Sequence, residues 1–275
     1  MTIDMYAREW GSTGEPVILI HGLGAFSKPW KPLAEALAAK GRKVYAVDLL
    51  GFGESPAPPG FANTMAAQAD AVRDFMALKG LAKADIVGHS MGGGIALRLA
   101  EQAGKSGWPG IGKLVLLAPV AFPTTLPLDL GAVEQAINAP GFNSAVYGPA
   151  LVEIILAAGF ADKKPGAVKP GQIIAYAEGL STKEQIKALI AHAKTLTQVA
   201  VKEDDLKGID ARTLIVWGKN DTFVGPSDGE KLKNAINNGK AVGNASLEWI
   251  ENCGHFPQDE QFDKTEALVT NFLKT

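Results

Sequence analysis

Five short segments constrain this chain more than anything else in it: PVILIHG (Pro16 to Gly22), KVYAVDL (Lys43 to Leu49), ADIVGHS (Ala84 to Ser90), KLVLLAP (Lys113 to Pro119) and RTLIVWG (Arg212 to Gly218). Each is rich in β-branched and other apolar residues and too short for a helix, so each reads as a strand. Their apolar character is nearly continuous, which a strand sustains when both of its faces are covered. A sixth run, ASLEWIE (Ala245 to Glu251), also reads as a strand. Helix-period stretches fall between the runs at Trp30 to Ala39, Thr64 to Leu78, Met91 to Ala103, Ser227 to Asn237 and Asp259 to Leu273. This alternation predicts an α/β fold, a mostly parallel central sheet with helices on both faces and a ligand site at the carboxyl ends of its strands.

One region departs from the alternation. Between Val120 and Lys207 nothing reads as a strand; Leu130 to Asn138, Ser144 to Ala158, Gln172 to Gly179 and Lys183 to Thr197 have helical character, separated by turns bearing Pro and Gly. The expected division is a core of residues 1–119 and 208–275 with a helical insertion, 120–207, between two sheet strands. A chain of 275 residues with 47% hydrophobic content can bury a core of that size.

Charge and composition remove several function classes. A net charge of −2, spread along the chain, offers no basic face for nucleic acid. No run of roughly 18 apolar residues and no basic-then-apolar leader is present, so neither membrane insertion nor a secretory signal is expected. The single cysteine, Cys253, excludes an intramolecular disulfide, and a reducing, cytoplasmic setting is the expectation.

The chemistry begins at Gly88-His89-Ser90-Met91-Gly92, a G-x-S-x-G at a strand-to-helix junction. Flanking glycines let the chain turn sharply there and lift Ser90 Oγ into the open, while the start of the following helix offers N–H groups, Met91 first, to an oxyanion. A serine hydroxyl is a weak nucleophile near neutrality, so it needs a base, and the base needs an orienting carboxylate. Asp221 follows the strand TLIVWG in the turn KNDTFVGP, and His255 follows SLEWIE in the loop NCGHFPQDE. Both lie just beyond strand ends, on the edge where Ser90 emerges. Of the four histidines, His21 precedes a glycine, His89 lies inside the elbow motif and His192 reads as a helix-face residue, which leaves His255 as the base.

With these motifs in hand, the sequence resembles the α/β-hydrolase superfamily of the cap-bearing kind over nearly its whole length. HGLGAFSKPW (His21 to Trp30) is similar to the family's oxyanion loop, DLLGFGES (Asp48 to Ser55) to its Asp-x-x-Gly-x-Gly-x-Ser turn, and GHSMGG to its nucleophile elbow. WGKNDTFV resembles the acid loop and GHFPQDE the histidine loop. The resemblance implies the catalytic residues Ser90, Asp221 and His255, a second oxyanion donor in the backbone N–H of Leu23 beside Met91, a structural His21, and a cap roofing the site. It implies no metal and no organic cofactor, and a small-molecule acyl substrate as the partner.

The resemblance also orders the substrates. Relatives that use an aspartate nucleophile are set aside by Ser90. The family's carbon–carbon bond hydrolases commonly carry tryptophan after the histidine, where this chain has Phe256, and a cap arginine for a substrate carboxylate. No arginine occurs between Val120 and Lys207. Lysine substitutes for arginine's bidentate fork only as a point charge. The first expectation is therefore hydrolysis of small to medium neutral, hydrophobic esters or lactones. The alternatives are carbon–carbon bond hydrolysis, acyl transfer or perhydrolysis, a lyase using the same site, or a slow-turnover ligand sensor.

Overall fold

The computed structural model describes residues 5–198, 201–238, 240 and 243–274. Positions 1–4, 239, 241–242 and 275 of the expected core, and 199–200 of the expected insertion, lie outside the described residues. Among the described residues the strands β1 (Ala7–Trp10), β2 (Pro16–Ile20), β3 (Lys43–Val47), β4 (Lys83–His89), β5 (Gly110–Leu117), β6 (Arg212–Gly218) and β7 (Ala245–Ile250) form one sheet in the order β1-β3-β2-β4-β5-β6-β7. β1 pairs antiparallel with β3 and every other pairing is parallel.

The apolar runs are covered on both faces, as their composition requires. Ile18, Ile20, Ile86, Leu116 and Ile215 join one buried cluster, and their neighbours Val17, Leu19, Val87, Leu117 and Val216 join the other. Alternate residues of one strand thus feed opposite layers. On the first face lie α2 (Met65–Leu78) and α3 (Met91–Gln102), through Phe75 and Ile95; on the second lie α1 (Lys31–Ala39) and α11 (Phe262–Lys274), through Leu37 and Val269. Helix α9 (Ser227–Asn237) packs beside β7.

Between β5 and β6 runs the helical insertion, or cap: α4 (Leu130–Asn138), α5 (Ser144–Gly159), α6 (Pro170–Ala177), α7 (Lys183–Thr195) and the short α8 (Glu203–Leu206). Their starts are written in the sequence. Asp129, Asn143 and Thr182 accept from the first-turn amides of Ala132, Ala145 and Gln185, the N-cap role of such side chains.

Two elements differ from expectation. β1 is not among the expected strands: it is four residues long, carries Arg8 and Glu9, and sits at the sheet edge, where one side needs no apolar cover. The helix expected over Asp259 to Leu273 is instead a turn of helix α10 (Pro257–Glu260) followed by α11, because Gln261 leaves the helical region between them, at φ −137° and ψ 56°. The break sits beside the His255 loop.

Candidate active site

At the end of β4 the chain makes the turn that its glycines permit. Ser90 has φ 54° and ψ −121°, outside the comfortable regions for a side-chain-bearing residue, at a cost of about 1–3 kcal/mol. A Cβ on Gly88 would strike the Gly92 carbonyl, and one on Gly92 would strike the carbonyls of Ile20 and His21, so only glycine lets the elbow close. The strained residue is held by its own backbone. Ser90 N donates to Leu117 O at 3.0 Å, and Ser90 O accepts from the amides of Gly93 (2.9 Å) and Val120 (2.9 Å).

Asp221 and His255 arrive from β6 and β7 to meet it. His255 Nε2 lies 2.8 Å from Ser90 Oγ, and His255 Nδ1 lies 2.8 Å from Asp221 Oδ2. A carboxylate can only accept, so Nδ1 carries the proton and Nε2 is left free to take one from the serine. Asp221 also accepts from Trp217 Nε1 (3.1 Å) at Oδ2 and from the amides of Phe223 (2.8 Å) and Val224 (3.0 Å) at Oδ1. Burial pushes its carboxyl up, but the His255 charge and these hydrogen bonds outweigh it and hold the pKa below the usual value. The three residues named from sequence therefore stand in one hydrogen-bonded line, all buried.

The loop after β2, expected from sequence to carry an oxyanion donor, lies against this line. Gly22 approaches so closely that a Cβ there would be 3.0 Å from Ser90 Cβ. Neither Leu23 N nor Met91 N has a backbone or side-chain acceptor among the described residues. His21 accepts from Leu49 N at Nε2 (2.9 Å) and donates through Nδ1 to Gly22 O (2.7 Å), a neutral ring that pins the loop. Asp48 accepts from Ser27 N (2.6 Å) and Glu54 N (2.9 Å), joining the same loop to the DLLGFGES turn.

The alpha/beta hydrolase family profile matches residues 17–268. The chain belongs to that family. It is 26% identical over 271 residues to the 2-hydroxymuconate semialdehyde hydrolase of Pseudomonas putida, with 94% of this chain and 87% of the relative covered. It is equally 26% identical to Lipase 1 of Psychrobacter immobilis, covering 95% and 77%. Its fold matches the meta-cleavage product hydrolase of Pseudomonas fluorescens IP01 with a TM-score of 0.78 at 24% identity, over 98% of this chain and 94% of the other.

In this alpha/beta hydrolase the pocket beside Ser90 is roofed by the cap. Gly22 to Ala25, His89, Ser90, Phe223, His255 and Phe256 form its floor, and Leu126 to Leu128, Val152, Ile154 to Leu156, Ala158, Tyr176 and Leu189 its roof and walls. Among the described residues no Asp, Glu, Lys or Arg side chain lines it. Two cap lysines are occupied elsewhere: Lys163 Nζ donates to Ala158 O at the end of α5, and Lys194 pairs with Glu134 at 2.9 Å. Tyr176 lines the pocket, but its hydroxyl donates to Asp259 Oδ2 at 2.6 Å. Tyr147 packs edge-on against Phe142.

Two neighbours of His255 have no role that sequence reasoning assigns. His89, inside the elbow, donates through Nε2 to His255 O at 2.8 Å, and burial, aided by the nearby His255, pushes its pKa down to about 3, so the ring stays neutral. Glu260 turns its carboxylate onto the amides of Gly254 and Phe256. The signal for Glu260 was the last letter of GHFPQDE. Cys253, two residues before His255, is fully buried, and burial raises its thiol pKa, as fits an unreactive packing residue. Among the described residues no group of three or more His, Cys, Asp or Glu could hold a metal ion, and no helix is long and apolar enough to cross a membrane.

Proposed function

We propose that this alpha/beta hydrolase cleaves the bond beside a carbonyl through attack by Ser90, with His255 as base and then acid, Asp221 orienting it, and the amides of Leu23 and Met91 receiving the oxyanion. The observation that carries the reading is the Ser90–His255–Asp221 line, 2.8 Å at each step, opening onto an apolar pocket. As the Oγ–carbon bond forms, the hydroxyl proton passes to His255 Nε2. The tetrahedral intermediate collapses, the leaving atom takes that proton, and water activated by His255 releases the acyl group. Oxyanion donors of this kind contribute about 3–4 kcal/mol each. The unit doing this is the core of residues 1–119 and 208–275, with 120–207 as its cap.

The named relatives favour carbon–carbon bond hydrolysis, the alternative at the level of sequence. A 2-hydroxymuconate semialdehyde contains no ester, so the Pseudomonas putida relative named for hydrolysing it must break a carbon–carbon bond. The same line of residues can do this if the departing carbon leaves as a stabilised enolate that His255 protonates. In this chain the substrate end enclosed by the cap would be uncharged. A second reading, hydrolysis of neutral esters or lactones, is favoured by the lack of any Asp, Glu, Lys or Arg among the described residues of the pocket lining and is compatible with the lipase relative.

The deciding experiment sets wild type beside Ser90→Ala. Both are treated with a fluorophosphonate and read by intact mass, then offered p-nitrophenyl esters from acetate to laurate and a 2-hydroxy-6-oxo-dienoate with an alkyl end. Stoichiometric labelling confined to wild type is expected, with faster turnover of the dienoate on the first reading and of the esters on the second. Labelling without turnover of either class would point to transfer or sensing. Wild type that takes no label would sink the assignment of Ser90.

A further inference from the structure

The end of cap helix α5 is built into the two loops that carry the base and its acid. A helix leaves its last carbonyls without intrahelical partners. Here Ala158 O accepts from Thr222 Oγ1 at 3.0 Å, next to Asp221, and Gly159 O accepts from the backbone amide of His255 itself at 2.8 Å. The fit is close. A Cβ on Gly159 would strike the Phe256 ring, and one on Gly254 would strike the Gly159 carbonyl.

At the centre of this junction sits Glu260, a carboxylate with no part in the chemistry proposed above. It accepts from Gly254 N with both oxygens (3.0 and 2.9 Å), from Phe256 N (3.1 Å) and from the cap amide of Ala161 (2.6 Å). The amides on either side of His255 are thus held by one side chain, and the amide of His255 by the cap. Burial raises the Glu260 carboxyl above its ordinary range, opposed by these amide bonds and by the charge of His255. No salt bridge offsets that burial among the described residues, so its partners are the loop and the cap.

We propose that Glu260 is a positioning residue for the base: by gripping the amides of Gly254, Phe256 and Ala161 together, it sets where His255 stands relative to Ser90 and ties that position to the cap. The proposal rests on the reading of His255 as the base. A neutral amide cannot replace the carboxylate, because one of its two ends is a donor facing backbone donors. Aspartate keeps the charge but falls one methylene short. Misplacement of a catalytic group by about 1 Å can cost around a hundredfold in rate.

The test compares wild type, Glu260→Gln, Glu260→Asp and, as a charge-removal control on the exposed start of α11, Asp263→Asn. Two quantities are read well below each melting temperature: the rate of fluorophosphonate labelling at Ser90, and hydrogen exchange of the segment 253–261. In both Glu260 variants the labelling rate is expected to fall about ten- to a hundredfold and exchange in 253–261 to rise, with exchange in β4 and β5 unchanged and Asp263→Asn behaving as wild type. Labelling within twofold of wild type in either folded variant overturns the proposal, as does unchanged exchange in the loop. Full rescue by aspartate would also overturn it, since charge alone would then suffice. A wild type that does not label at all overturns the role of His255, and the positioning role with it, while the exchange data still report separately whether Glu260 holds the loop. If Glu260→Gln does not fold, Glu260→Asp carries both readouts.

Discussion

The carboxyl ends of β4, β6 and β7 and the cap helices facing them are built on opposite rules. At the strand ends almost every polar group has a fixed partner: Asp221 takes hydrogen bonds from Trp217, Phe223, Val224 and His255, and His21 and Asp48 lock the oxyanion loop. The cap offers the same pocket an apolar wall and leaves Val146, Ile154 and Ile174 more than half exposed. A reacting centre needs dipoles whose positions are set before the reaction starts, whereas an apolar wall needs only shape and tolerates substitution. On the proposed reading, the strand ends set what bond can be attacked, and the cap sets which molecule presents it.

Replacing Asp221 with Asn should produce the largest contrast. An amide can present its NH2 to His255 and hold the ring in the wrong tautomer, and comparable changes lower turnover about 10⁴-fold. Turnover measured on the better substrate class should fall by that order, with KM and melting temperature little changed because the side chain keeps its shape. A loss below tenfold would mean that the line of residues is not the reacting centre, and the contrast between rigid floor and adaptable wall would lose its basis.

Acid should separate the two regions in a different way. His89, in the core, has its pKa pushed down to about 3 by burial, and His192, in the cap, to about 4 by the same cause. His192 is the neutral centre of a seam: Nδ1–H donates to Ala188 O at 2.9 Å, and Nε2 accepts from Gln68, which also brackets Leu50 N and O in the core. Both folded-state values lie below the ordinary 6.5, so each ring contributes stability that is present above pH 6.5 and lost as pH falls toward 4 and 3. At pH 5 the loss is about 2 kcal/mol for each ring. Asp259, raised to about 6 chiefly by burial, acts in the opposite direction: its contribution is present below pH 4 and lost as pH rises through 6. Urea midpoints should therefore fall between pH 7 and pH 5, and a folded His192→Gln should lose less of its stability over that interval than wild type. Equal pH dependence in the two proteins would place the acid sensitivity wholly in the core.

How far the sequence could be read follows the same division. The parallel strands were legible because burial on both faces demands continuous apolar runs, and β6 spans the residues expected, Arg212 to Gly218. Ser90, Asp221 and His255 were legible because strand ends and a glycine-framed turn leave few places for them. Glu260 was only half legible: it closes the motif GHFPQDE, but the contact that gives it its proposed role is with a cap amide, Ala161, 99 positions away. β1 escaped because an edge strand needs no continuous apolar run. The sequence marks His192 as a helix-face residue, and it lies on α7, but its seam with Gln68 joins two helices that no local pattern connects. In the cap, helical periodicity marks which residues are apolar without saying which of them turn toward Ser90.

The smallest expected effect is the one that tests the wall directly. Ile155 on α5 is partly buried and lines the pocket, so Ile155→Ala enlarges the roof without touching a polar partner. Losing apolar contact with a substrate costs about 1–3 kcal/mol in such pockets, equivalent to a change of tenfold to two-hundredfold in kcat/KM. Along a series of esters or alkyl-ended dienoates, the variant should lose most on the chain that fills the native pocket and least on the shortest member, and it should gain relative to wild type on longer chains that the native wall excludes. Labelling by a small fluorophosphonate should stay within about threefold, because Ser90, His255 and the oxyanion loop are unchanged. A uniform loss across the series, with labelling slowed in proportion, would instead mean that α5 acts on the reacting centre through its C-terminal junction with His255 rather than through the shape of its wall.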